Sequence, residues 1–254
     1  MRKRIDPVQR RHQDYLRRKI LKAARYYDGR LCSLRSRNVK GVLSECRDYP
    51  PEQWEDVISL RLTEPYLGEW YGQLYLATGL PQIKSTVRDM NSAKAEDSGI
   101  WESAVLSYAR QRAGEEIVSV TGTLKKTLVA ILRQELEESD GLGIEAIVQR
   151  IYRHYRQQQE WEVRRIVQTE ALISAGRAGD IASRSLEIPF TKQWCVSGLT
   201  NTRDTHLAVD GILADADEPF TVGGSLLMYP HDTSMGAEAS EIISCACSCI
   251  RRPR

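Results

Sequence analysis

The chain is short of several things. Its 254 residues include 2 Phe, 4 His and 4 Met. No apolar run comes near the ~20 residues that a helix needs to cross a bilayer, so neither a membrane span nor a membrane partner is expected. No apolar stretch follows the basic start Arg2-Lys3-Arg4, so no secretory signal is expected. The sequence has no phosphate-binding glycine loop, no dinucleotide-type glycine motif and no Gly-x-Ser-x-Gly elbow. The usual motif-based nucleotide-binding and serine-hydrolase readings are therefore closed. The 6 cysteines include no pair at Cys-x-x-Cys spacing, the commonest mark of a zinc module. What remains, 41% apolar and 28% charged, is an ordinary folded chain, long enough for one large domain or two small ones.

The formal charge of +2 averages two unlike pieces. Residues 1–40 carry 14 Lys/Arg against 3 Asp/Glu, a net of +11, and residues 41–254 carry a net of −9. Over 6–27, Val8, Leu16, Ile20, Leu21 and Ala24 recur near helical spacing, and Asp6-Pro7 reads as an N-cap followed by a first-turn proline. Arg10, Arg11, Arg17, Arg18, Lys19, Lys22 and Arg25 fill much of the rest. Residues 1–40 are thus expected to form a basic arm toward nucleic acid or an acidic partner. The plainer alternative is an amphipathic helix packed on a neighbour.

Residues 28–50 mix Gly, Ser, Arg and Cys, end in Tyr49-Pro50-Pro51, and read as a connector. Residues 41–99 hold an aromatic set, Trp54, Tyr66, Trp70, Tyr71 and Tyr75, which serves either as core or as a docking patch. A helix over 64–77 is expected to end at Gly79 and Pro81. Residues 100–180 read as a bundle of four helical segments, the second stopped at Asp140-Gly141. Beyond 180 the periodicity weakens. Short strands are expected at 190–196, 220–222 and 242–250, in a loop-rich module using helix 160–178 as one wall. The predicted class is α+β: mainly helical N-terminal and middle regions, then a small α+β module over 181–254.

Cys195, His206, Cys245 and Cys247 together have the donor types of a structural zinc site. Buried packed thiols are the plainer reading. If 242–250 is a strand, Cys245, Cys247 and Cys249 share a face. His206 beside Asp204 invites a general-base reading, but no nucleophile is placed near it. A structural network is preferred: Arg203 on a carboxylate, Asp204 or Asp210 capping a turn, and His206 on a backbone carbonyl. Arg164, Arg165 and Glu170 are candidate charge partners for that network.

The order of these residues resembles the phage Mu F-like minor head protein family. Arg165-Ile166-Val167-Gln168-Thr169-Glu170 is similar to its Arg-x-x-x-Thr-Glu helix, and Gly176 follows. Then come a tryptophan strand at Trp194, the Thr-Arg-x-x-His run Thr202 to His206, Asp210-Gly211, Pro219-Phe220, Gly223-Gly224 and Tyr229-Pro230-His231-Asp232. Cys245-Ala246-Cys247 is similar to the family's terminal Cys-x-Cys. Leu199 stands where members often have Asp, and Ser244 and Ala246 stand where Asn and Arg are usual. The resemblance implies a non-enzymatic minor capsid or head-morphogenesis protein of a tailed phage. It would sit inside the head near the portal, after assembly in the host cytoplasm. Portal protein, packaged double-stranded DNA and scaffold or capsid protein are the implied partners. The alternatives are a DNA-binding module acting through the arm, or an enzyme using Arg203, His206 and Glu170.

Overall fold

The computed structural model describes residues 2–90, 98–138 and 141–254, so the expected helix stop at Asp140 lies outside them. In chain order the elements are helix α1 (Pro7–Cys46), a 3-10 turn (Pro51–Gln53), α2 (Trp54–Arg61), α3 (Leu67–Asp89), α4 (Ser98–Glu137) and α5 (Ile144–Ser185). Strand β1 (Phe190–Cys195), α6 (Asp204–Val209), β2 (Leu213–Asp215), β3 (Phe220–Val222), β4 (Ser225–Leu227), α7 (Ala239–Ile242) and β5 (Ser248–Pro253) follow. The fold is α+β, with helical N-terminal and middle regions ahead of a small strand-bearing module. No helix among the described residues is long and apolar enough to cross a membrane.

Helix α1 begins as expected: Asp6 Oδ1 accepts the Val8 N–H at 2.9 Å, and Pro7 is the first helical residue. It does not give way to a connector at 28. Leu31, Arg35, Val39, Val42, Leu43 and Cys46 keep a buried face in step to the end of the helix. Gly79 and Pro81 lie inside α3 instead of ending it. A Cβ on Gly79 would stand 3.2 Å from Ser174 Oγ and 3.3 Å from the Ala178 Cβ, so this glycine permits close helix packing. The four segments expected over 100–180 are two helices, α4 and α5. Buried Ala109, Arg112 and Ala113 carry α4 through its first apparent break, and buried Gln159 and Glu162 carry α5 through the other.

The chain divides into two units that cut across the boundaries expected at 40, 99 and 180. One comprises Met1–Tyr26, Gly72–Ala109 and Arg165–Arg254; the other comprises Tyr27–Tyr71 and Arg110–Arg164. The second unit is helical. Its core joins Leu43, Trp54, Ile58, Leu62, Leu128, Leu132, Ile151 and Tyr155. Arg35, 1% exposed, donates to both Glu64 carboxylate oxygens at 2.8 and 3.1 Å, and Tyr66 also donates to Glu64, at 2.7 Å. Such a pair survives burial because each charge keeps directed partners. Trp54, Trp70 and Tyr71 are buried here and Tyr75 is buried in the first unit, so these four are core and not a docking surface, while Tyr66 is half-buried.

Among the described residues, the first unit holds all the strands. The antiparallel sheet has the order β2-β1-β5, with Trp194 opposite Cys249 and Cys195 opposite Ser248. Strands β3 and β4 form a hairpin turning at Gly223-Gly224, both at positive φ (57° and 85°), as a two-residue primed turn requires. Residues 242–250 are not one strand: α7 ends at Ile242, Ser244 turns the chain at φ 57°, and β5 starts at Ser248. The N-terminal residues are built in. Lys3 N–H donates to Gly211 O at 2.9 Å, Ile5 packs with Cys195 and Ile250, and Leu16, Ile20 and Ala24 are buried. A free arm is therefore not what the fold contains. Helix α5 forms a wall of the module, since a Cβ on Gly176 would come within 2.8 Å of Pro230 O.

Candidate metal centre

The module's core collects Trp194, Val209, Phe220, Val222, Leu227, Tyr229, Cys245, Cys247 and Cys249. One polar cluster is embedded in it. Helix α6 carries His206, 1% exposed, with its ring edge-on to Trp194 at 5.7 Å. His206 Nε2 lies 2.8 Å from Glu241 Oε2, which also accepts the Thr205 hydroxyl at 3.0 Å. An ionised carboxylate only accepts, so in a neutral ring this contact puts the proton on Nε2 and turns the acceptor Nδ1 toward the sulfurs. Nδ1 faces two sulfurs, Cys247 Sγ at 3.3 Å and Cys245 Sγ at 3.5 Å. The three donor atoms lie within 4.8 Å of one another, and all three residues are buried.

The turn between α7 and β5 positions the sulfurs. Its chain reversal at Ser244 brings the Cys247 N–H to 3.4 Å from Cys245 Sγ. The Cys247 thiol hydrogen-bonds to Cys245 and holds its pKa below the ordinary thiol value. The same bond, together with burial, pushes Cys247 up. Three anchors fix the turn from outside. Arg203 Nη2 donates to Ile243 O at 2.5 Å, Thr169 Oγ1 accepts the Ser244 N–H at 3.4 Å, and His231 Nε2 lies 3.0 Å from Cys245 O. Burial holds the His231 ring below the usual histidine pKa, so it is neutral there.

The residues singled out in the sequence separate into groups. His206, Cys245 and Cys247 meet; Cys195 does not join them. Adjacent residues of a strand point to opposite faces, so Trp194 enters this core while Cys195 turns to Ile5 and Ile250. Burial there raises the Cys195 pKa to about 11. Cys249 reaches the same core as the β5 partner of Trp194, not through strand alternation with Cys247, which precedes β5, and it is not among the clustered donors. His206 bonds a carboxylate, not the backbone carbonyl expected. Arg203 takes a carbonyl, not a carboxylate. Glu170 accepts the Tyr75 hydroxyl at 2.6 Å. Asp210 makes long-range ties in place of the expected turn cap: Oδ1 accepts the Val196 N–H at 3.0 Å, and Oδ2 pairs with Arg10 at 2.7 Å. Arg165 is half-buried on α5, and Gly211, at φ 78°, admits Lys3 O where a Cβ would clash at 2.6 Å. Glu241 was missed. Nothing in the sequence distinguishes it among 34 acidic residues except its place four residues before Cys245.

The basic residues of α1 separate too. Arg10 is engaged by Asp210, and Arg17 pairs with Asp14 at 2.9 Å while donating to Ala246 O. Arg11, Arg18, Lys19, Lys22 and Arg25 are exposed, with Tyr15 and Tyr26 exposed among them. Arg11, Tyr15, Arg18, Lys22 and Arg25 recur at alternating steps of four and three and form one stripe along the helix.

Fold and cluster together define an α+β protein with a buried His/Cys/Cys centre of metal-ligand type. Comparison of the chain with protein-family models, curated proteins and solved structures returns no match.

Proposed function

We propose that the chain is a minor capsid or head-morphogenesis protein of a tailed phage, associated with the portal inside the head. The observation that supports this reading is convergence. The residues carrying the family resemblance run from Arg165 to Cys247, and the fold draws most of them into one small module. Thr169 holds the turn at Ser244, Trp194 packs on His206, Arg203 holds Ile243, Gly176 admits Pro230, and His206 faces both cysteines. Each of these positions does structural work within a fixed core. A cavity beside the cluster, lined partly by His231, Cys247 and Cys249, has a volume of about 30 Å³, enough for about one water.

The exposed stripe on α1 supports contact with a polyanion, either packaged DNA or an acidic face of the portal or scaffold. Copurification with portal-containing proheads is the test of the main reading. Expected is a fixed, low number of copies per particle, lost when the portal is omitted. A protein absent from particles and unable to bind isolated portal overturns it.

A further inference from the structure

We propose that His206, Cys245 and Cys247 bind one zinc ion, oriented by Glu241, and that the strand-bearing module depends on it. This inference stands on geometry and does not rest on the virion reading. Zinc takes sulfur at about 2.3 Å and imidazole nitrogen at about 2.0–2.1 Å with tetrahedral angles, so two ligand atoms on one ion lie about 3.6 Å apart for a nitrogen–sulfur pair. The two nitrogen–sulfur separations here are 3.3 and 3.5 Å. Both nitrogen–sulfur edges of such a site are therefore in place, and the two sulfurs lie within 4.8 Å of each other.

The partner set points the same way. A metal-bound histidine usually gives its other N–H to a carboxylate, which fixes the tautomer and raises its basicity. Glu241 makes that contact, and Thr205 holds the carboxylate in turn. A Cys247 N–H directed at Cys245 Sγ is the contact that favours a thiolate. Binding releases two thiol protons to solvent and sets two thiolates against Zn²⁺. The ion and its three protein ligands are then neutral together, and the one negative charge of Glu241 is met by the His206 N–H and the Thr205 hydroxyl. The fourth corner takes a water or another small exogenous ligand. Soft sulfur donors select zinc over magnesium or calcium. The module's strands are three to six residues long. An ion that ties α6 to the β5 approach adds its binding free energy to the stability of that part of the fold.

The test is metal content by elemental analysis on the full chain, purified under reducing conditions with zinc supplied. One zinc per chain is expected, lost in Cys247→Ser and kept in Cys195→Ser, whose sulfur lies on the other strand face. Glu241→Gln is expected to weaken zinc binding about 10- to 100-fold. Should Cys247→Ser fail to fold, a strong chelator added to the native chain is expected to lower its melting temperature, with recovery on re-adding zinc. Well under one zinc per chain with melting unmoved by chelator overturns the proposal. So does a Cys245–Cys247 disulfide in zinc-free folded protein, or zinc retained by a folded Cys247→Ser chain.

Discussion

At the scale of single residues, the site was legible in its donors and illegible in their support. His206, Cys245 and Cys247 announce themselves by type. Cys195 has the same chemistry, and only strand alternation removes it, because its neighbour Trp194 already occupies the inner face. Glu241 is typical of what sequence hides: its role depends on a contact to a residue 35 positions away. Gly223 is the residue that makes room for it. A Cβ at Gly223 would overlap Glu241 Oε1, whereas one at Gly224 meets nothing within 4 Å, though both have positive φ. Left-handed backbone costs a non-glycine residue about 1–2 kcal/mol, so Gly223→Ala and Gly224→Ala should both destabilise by about that much. Only Gly223→Ala should also push the carboxylate off His206 and weaken zinc binding. Urea unfolding combined with a competitive zinc titration separates the two effects. Equal zinc affinity in both variants would remove Glu241 from the site's support.

At the scale of elements, the helices were legible where their buried face is aliphatic and broken where it is not. The expected connector over 28–50 conceals Arg35 at a core position, satisfied by Glu64 and Glu162. A charged residue there reads as surface, and only the tertiary partner shows otherwise. The apparent breaks in α4 and α5 have the same origin: Ala109, Ala113, Gln159 and Glu162 are small or polar residues on a buried face. Helical glycines misled for a further reason, since they mark either a stop or a close approach. The structure tells these apart. A Cβ on Gly41 in α1 or Gly122 in α4 meets nothing within 4 Å, while one on Gly79 in α3 meets Ser174, Ala178 and Val105 within 3.4 Å. Gly41→Ala and Gly122→Ala should each stabilise by roughly 0.5–1 kcal/mol, the usual helix-interior gain. Gly79→Leu should destabilise by about 1–3 kcal/mol through overpacking. Thermal melts of the three variants check the signs, and a neutral Gly79→Leu would mean that α3 can shift away from its neighbours.

At the scale of the whole molecule, the +11 of residues 1–40 overstates what a polyanion can meet. Arg10, Arg17 and Arg35 are committed to Asp210, Asp14 and Glu64. The exposed cations of α1 proposed to bind are five: Arg11, Arg18, Lys19, Lys22 and Arg25. They sit on a helix whose other face supplies Leu16, Ile20 and Ala24 to the core. Removing the segment would therefore unfold the unit it belongs to and say nothing about binding. Changing the five to glutamine leaves the buried face intact and tests the charge alone. Each phosphate neutralised contributes about −0.9 to the slope of log affinity against log salt on duplex DNA. If all five contact phosphate, the substituted chain should lose roughly 4 to 5 units of slope, with affinity at low salt falling in step. Because phosphate contacts carry no base code, the loss should be the same on unrelated duplex sequences. Filter binding or fluorescence anisotropy across a salt series reads both quantities. An unchanged slope would assign the stripe to an acidic protein surface instead, and the same five-residue variant should then lose its hold on the isolated portal.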